Sequence, residues 1–369
     1  NGATVTILPA RDGYVAVSPR EDRQWAAWLG VMGSPAWGRE PRFARKPDRV
    51  ENWDALHALM SQWSRAHDKQ WIADAAQAAH MPSFPLREPG ESLDSAQLEG
   101  RGFFRARTVN GVKLKAPGSP FAATQTPAGA AKPAASAGVL PLDGVRVLDF
   151  SWVIAGPTAT RYLAAMGADV IKVEAPGRGD PGRATELHNV LGQAKRAIVL
   201  NLKSRDGVRI AKSLAARCDI VIENFGSGVM QRFGLGAEAL QAENPGLIYI
   251  SASGLGRSGP ESHAVAYGTL LQCYAGFAGL NSHAGNAPRV GMAWLDPMCG
   301  LQLAFIAAAA LWRKRASGHG CRVDFSMIEA MLWTMAEPLL AAQLGAPARI
   351  PGGIHAMAGD DSWIGISAD

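Results

Sequence analysis

Between residues 145 and 251, short apolar runs return at regular intervals, and helical stretches lie between several of them. The runs are Val145–Phe150, Val170–Val173, Ile198–Leu202, Ile220–Ile222 and Leu247–Ser251. Their nearly continuous apolar character is that of strands covered on both faces, whereas a half-exposed strand would alternate. Pro157–Met166 has Pro at its first position and Gly167 past its end, and Arg205–Arg217 follows Ser204. Both are punctuated as helices. Strands alternating with helices predict an α/β fold, a parallel sheet with helices on both faces.

The rest of the chain has another rhythm. Residues 126–139 (TPAGAAKPAASAGV) are rich in Ala, Pro, Gly and Ser and nearly uncharged, which is linker composition. Before them, turn-rich stretches alternate with helical ones, notably Glu21–Val31 and Asp54–Trp63. The two ends resemble each other: Asp12, Tyr14 and Ser18 align with Asp361, Trp363 and Ser367 at one constant offset. Two surface hairpins alike by chance would show this. So would a window cut across the junction of a tandem duplication, which also accounts for the central linker and for Asn1 in place of Met.

The composition excludes several functions. Charged residues make up 19% of 369, and the net charge of +5 is spread without a basic tract, so nucleic acid is not indicated. Cys218, Cys273, Cys299 and Cys321 form no CxxC pair and read as buried thiols in a reducing cytoplasm. No signal peptide is visible. No GxSxG elbow marks a serine hydrolase, and the histidines lack metal-helix spacing. Ala155-Gly156-Pro157 stands where a dinucleotide fingerprint would follow the first strand, which weighs against an NAD-dependent oxidoreductase.

Asp296-Pro297 opens the longest apolar run, the sixteen residues Pro297–Trp312, before Arg313-Lys314-Arg315. A membrane span needs about twenty, so a buried helix is expected, with Trp294 and Trp312 in the core. Asp296 reads as an N-cap with Pro at the first helical position. A carboxylate held ionised there by the helix dipole can also be a nucleophile. Gly291 and Gly300 flank it and leave a ligand room. Three Gly-bearing segments leave strands: 173–180, 224–228 and 254–260. Open α/β sheets bind ligands at such exits, and amides at a helix start suit a diphosphate.

From residue 141 to 335 the sequence resembles the class III CoA-transferase family, the formyl-CoA transferase and carnitine CoA-transferase type. The likeness is carried by PLDGVRVLDFSWVIAGP, GADVIKVEAPGRGDPGR, QAKRAIVLNLKSRDG, VIENFGSGVMQRFG, SASGLGRSGP, LDPMCG and ASGHGCRVDFSMIEAM in that order. DGYVAVSP, PRF, PLREPGESL, QLEGRGFF and GSPF resemble the family's C-terminal portion. The resemblance implies the tail of one unit (1–125), a linker (126–139), a Rossmann-like large domain of a second unit (140–345) and the start of its smaller α+β domain (346–369). Such tandem-fused members include dimethylsulfoniopropionate CoA-transferase/lyase enzymes.

By the same resemblance Asp296 is the nucleophile, and coenzyme A or an acyl-CoA is a substrate contacted by Ile154, Ala155, Leu200, Asn201, Leu202, Lys203, Asn224, Phe225, Gly226 and Arg232. No metal is implied. The partners implied are a small carboxylic acid, dimethylsulfoniopropionate among them, and a second unit in the same chain or a homodimer with interlocked subunits. Neither nucleic acid nor membrane is expected. Ala175 and Val265 stand where some members carry Arg and Lys. The racemase branch has a His-Asp pair where this chain has Tyr267-Gly268, which disfavours inversion. A CoA-binding half without catalysis is the remaining alternative.

Overall fold

The computed structural model describes residues 5–129, 139–177, 179–281, 287–346 and 352–367. The chain begins with an antiparallel hairpin, β1 (Thr6–Ala10) and β2 (Gly13–Val17). Four helices follow: α1 (Asp22–Val31), α2 (Lys46–Glu51), α3 (Trp53–Ser64) and α4 (Lys69–Ala78). Gln24 accepts from the Glu21 amide at 3.1 Å, closing the first turn of α1. β3 (Ser83–Pro85) adds to β2. Trp25, Trp28, Leu56, Met60 and Ile72 meet Leu8, Val15 and Val17 in one apolar core. After α5 (Ala96–Gly100), the hairpin of β4 (Phe104–Val109) and β5 (Val112–Pro117) leads to β6 (Phe121–Ala128).

The larger region runs β7 (Arg146–Asp149), α6 (Ala155–Ala165), β8 (Asp169–Glu174), α7 (Glu186–Leu191), β9 (Arg196–Val199), α8 (Arg205–Ala215) and β10 (Ile220–Glu223). It continues through α9 (Val229–Arg232), α10 (Ala237–Glu243), β11 (Ile248–Ser253), α11 (Gly268–Tyr274), α12 (Phe277–Leu280), α13 (Leu295–Ser317) and β12 (His319–Ser326). Last come α14 (Met327–Thr334), α15 (Ala336–Leu344) and the hairpin of β13 (Gly352–Ala356) and β14 (Trp363–Ser367).

Seven strands make the main sheet in the order β6-β12-β11-β10-β7-β8-β9. All neighbours are parallel except β6, which caps the β12 edge antiparallel. The six parallel strands follow the doubly wound order, which reverses between β7 and β10 and opens a crevice beyond their carboxyl ends. The pleat sorts the core. Val147, Ile220, Ile222, Ile248 and Ile250 pack under α6 and α13, whereas Leu148, Val221 and Tyr249 pack under α8, α9 and α10.

The elements depart from the sequence reading at identifiable places. α6 begins two residues early, and Pro157 lies within the first turn, where a missing N–H costs no hydrogen bond. Ser204 does cap α8, accepting from Gly207 at 3.1 Å. β9 ends at Val199, before the run 198–202 is finished. β6 extends to Ala128, three residues into the segment read as linker, and residues 130–138 of that segment lie outside the described residues.

α13 is a helix of 23 residues, longer than its apolar run and, by length and composition, long and apolar enough to cross a membrane. One side buries Leu295, Cys299, Leu303, Ile306 and Leu311 in the core. The expected core position of Trp312 is wrong: it is 76% exposed, on an outward side shared with Leu301 and Phe305. Trp294 packs edge-on against Phe277 at 5.3 Å. Cys218, Cys273 and Cys299 are buried free thiols and Cys321 is half-buried.

Candidate active site

The site is assembled at the carboxyl ends of β7, β8 and β10. Asp149, at the end of β7, is fully buried. It accepts from the Ser151 amide at 2.8 Å and Thr160 Oγ1 at 2.6 Å, and pairs with Lys195 at 3.2 Å. Burial alone would raise its pKa, but Lys172 and Lys195 with the two hydroxyls outweigh that and hold it at about 2. An anion so fixed anchors the turn that follows. Val153 takes a positive φ of 66°, rare for a β-branched residue, and its amide donates to Asp180 at 2.9 Å. Asn224 exchanges two hydrogen bonds with the Trp152 backbone, at 2.8 and 2.9 Å, and the Trp152 and Phe225 rings meet edge-on.

Four of the residues picked from the sequence thus meet in one place: Ile154 and Ala155 start α6, and Asn224 and Phe225 buttress the turn before it. Asn224 is a clamp and no helix cap; Gly228, with φ of 77°, precedes α9. At the end of the segment 173–180, Asp180 accepts from the Val153 amide at 2.9 Å and the Gly182 amide at 2.8 Å.

Asp296 reaches the same place from the opposite helix. It is the second residue of α13 and not its N-cap, which is Trp294. One turn on, Gly300 lets α13 lie directly on α6, since a Cβ there would stand 2.8 Å from the Ala155 carbonyl oxygen. The carboxylate itself is pressed against Gly268, where a Cβ would fall 1.9 Å from Oδ2. Asp296 retains some exposure, yet burial pushes its pKa up to about 6, opposed by the charge of Arg20 and by its own backbone amide. A carboxylate poorly solvated and not tightly paired is a stronger nucleophile than one in water.

The strip 265–269 that presents Gly268 is held by the N-terminal region. Gln77 brackets the Val265 backbone at 2.9 and 3.0 Å, Gln24 donates to the Tyr267 hydroxyl at 3.2 Å, and Arg20 donates to Thr269 Oγ1 at 3.1 Å. None of these three was legible in sequence. No motif marks them, and they act across a fold boundary.

The remaining residues lie elsewhere. Leu202, Lys203 and Arg232 line an open basin of about 1020 Å³ with Arg205, Arg209 and Lys212; Asp296 does not line it. Leu200 is buried in the core, and its amide donates to the Glu174 carbonyl at 2.8 Å. Gly226 has open space beside it. Asn201 accepts from the Lys203 amide at 3.1 Å, shaping the turn into α8. Among the described residues no group of His, Cys, Asp and Glu is placed to hold a metal.

The family model for CoA-transferase family III matches residues 1–138 and 142–361. Succinyl-CoA–D-citramalate CoA-transferase of Chloroflexus aurantiacus is 35% identical over 251 residues, 62% of this chain and 62% of that protein. A formyl-CoA:oxalate CoA-transferase of Rhodopseudomonas palustris is 40% identical over 201 residues, 52% of this chain and 47% of its own length. The chain spans about half to six tenths of the curated relatives it matches. Among solved structures, Rv3272 from M. tuberculosis matches with a TM-score of 0.56 at 31% identity, covering 62% of this chain and 64% of that one. A CAIB/BAIF family protein from Brucella suis gives 0.54 at 29%, covering 61% and 65%.

Proposed function

The chain belongs to CoA-transferase family III, and we propose that it moves CoA from an acyl-CoA to a carboxylic acid through a covalent intermediate on Asp296. The Asp296 carboxylate attacks the thioester carbonyl, and the C–S bond breaks to give a mixed anhydride and CoA thiolate. The thiolate attacks the aspartyl carbonyl, releases the donor acid as its carboxylate and leaves an aspartyl-CoA thioester. The incoming carboxylate attacks that thioester, forming a second anhydride and freeing the thiolate. Attack of the thiolate on the new acyl carbonyl completes the acyl-CoA and restores Asp296. Division into such steps is the gain of nucleophilic catalysis. Backbone amides of the first turn of α6 would steady each oxyanion, at about 3 kcal/mol per donor.

The single observation that carries this reading is the placement of Asp296: a poorly solvated carboxylate lying beside the first turn of α6, where Gly268 leaves it space. Along the same crevice, Lys203 and Arg232 would receive the phosphates of CoA in their basin. The match of the family model to both halves supports a fused arrangement in which residues 1–125 end one unit and residues 140 onward begin another. The buried free thiols suit a reducing compartment, and the cytoplasm is the setting proposed. Inversion beside an acyl-CoA carbonyl is disfavoured, because Tyr267-Gly268 offers no carboxylate and Gly268 has no room for one.

Asp296→Ala is expected to lower transfer by about three orders of magnitude or more while CoA binding persists in calorimetry. Wild-type protein incubated with acyl-CoA should gain the mass of CoA less water on the peptide containing Asp296. Undiminished turnover by the variant would overturn the mechanism.

A further inference from the structure

Arg20 is one of the arginines that the fold takes partly out of water. Arg101 pairs with Glu329 and Asp324, and Arg257 pairs with Glu223. Arg20 has no carboxylate within ion-pair distance among the described residues. Its Nε donates to Ser18 Oγ at 3.2 Å, its Nη2 donates to Thr269 Oγ1 at 3.1 Å, and its guanidinium lies 3.9 Å above the Tyr267 ring. Its own backbone amide and the Tyr267 hydroxyl both bond to Gln24, at 2.9 and 3.2 Å. Every one of these partners is neutral. They fix the direction of the guanidinium, and the carboxylate whose charge acts on it is that of Asp296, beyond ion-pair distance.

Its neighbours place that charge at the reacting centre. Tyr267 under the guanidinium and Thr269 at its tip flank Gly268, the residue pressed on the Asp296 carboxylate. Once Asp296 is carried as a neutral aspartyl thioester, this partly desolvated cation has lost its charge partner and is costly unless another is supplied, and a planar carboxylate is the partner a guanidinium fits best. The acid that takes up CoA needs one carboxylate at Asp296. A second, joined to it by a short chain, would reach the cation beside it.

Resting on the assignment of Asp296 as nucleophile, we propose that Arg20 is a specificity-determining residue that binds the distal carboxylate of a dicarboxylic acid while its other carboxylate exchanges CoA. Monocarboxylic acids of equal length lose that anchor. Dimethylsulfoniopropionate, whose far end is a sulfonium cation, would meet like charge there and be rejected.

The test uses the whole chain with acetyl-CoA as donor and a matched pair of acceptors, glutarate and valerate. Wild-type protein should favour glutarate through KM, and Arg20→Gln should lower kcat/KM for glutarate by about tenfold or more beyond any loss it causes with valerate. Arg20→Lys, which keeps the charge without the fork, should recover part of the loss. Circular dichroism and thermal melts of both variants establish that they fold. Equal use of the two acids by wild-type protein, or an unchanged preference between glutarate and valerate in Arg20→Gln, would overturn the proposal while leaving Asp296 as nucleophile. Absence of any CoA adduct on Asp296 in the wild-type protein would instead overturn the transferase reading, and this inference with it.

Discussion

As the proposed nucleophile, Asp296 would have to ionise in surroundings that make ionisation expensive. Its folded pKa of about 6 lies above the ordinary value of 3.8, so the fold favours the protonated acid. The stability this gives is complete below pH 3.8 and is lost as pH rises through 6. Above that, the charged form costs on the order of 2 kcal/mol. Asp296→Asn should therefore melt higher than wild type at pH 8 and show no such gain at pH 4. The rate should show the reverse, with kcat/KM falling about tenfold per pH unit below 6. Gly268→Ala would drive a methyl group into Oδ2; turnover should collapse while CoA affinity and the melting temperature change little. Sequence located Asp296 because an apolar helix and a Pro mark the position. It misjudged the capping role because the helix begins a residue earlier, at Leu295. Arg20 carried no such mark, since its partners Tyr267 and Thr269 come from a distant stretch of chain.

At the level of elements, the strands covered on both faces were readable and their limits were not. β10 and β11 fall close to their apolar runs, because β-branched residues on both faces leave little else for those segments to be. β12 was missed: His319–Ser326 alternates buried and half-buried positions and mixes Arg322 and Asp324 among its apolar residues. β6 was missed because it is mostly exposed and only its pairing with β12 makes it a strand. What joins these late-found strands to the rest is Arg101, beyond the end of α5, with its side chain and that of Glu329 each 3% exposed. Removing one member of such a pair strands the other charge. Arg101→Ala should destabilise the protein by about 3–5 kcal/mol in urea titration. Arg101→Met combined with Glu329→Met should cost less than the single change.

For the whole molecule, alternation of strand and helix sufficed to give the doubly wound sheet, but no local signal said that its edge comes from the N-terminal region. β6 covers the β12 edge, and Arg20, Gln24 and Gln77 hold the strip facing Asp296. Residues 139–369 alone should expose that strand edge, which promotes self-association, and should be inactive. Size-exclusion chromatography and a transfer assay against the whole chain check both. If Arg20 selects the acid and Asp296 reacts, choice and reaction are written in separate stretches of one gene. A crossover that replaced only the early stretch would hand an unchanged nucleophile a new diet, without revisiting any of the chemistry.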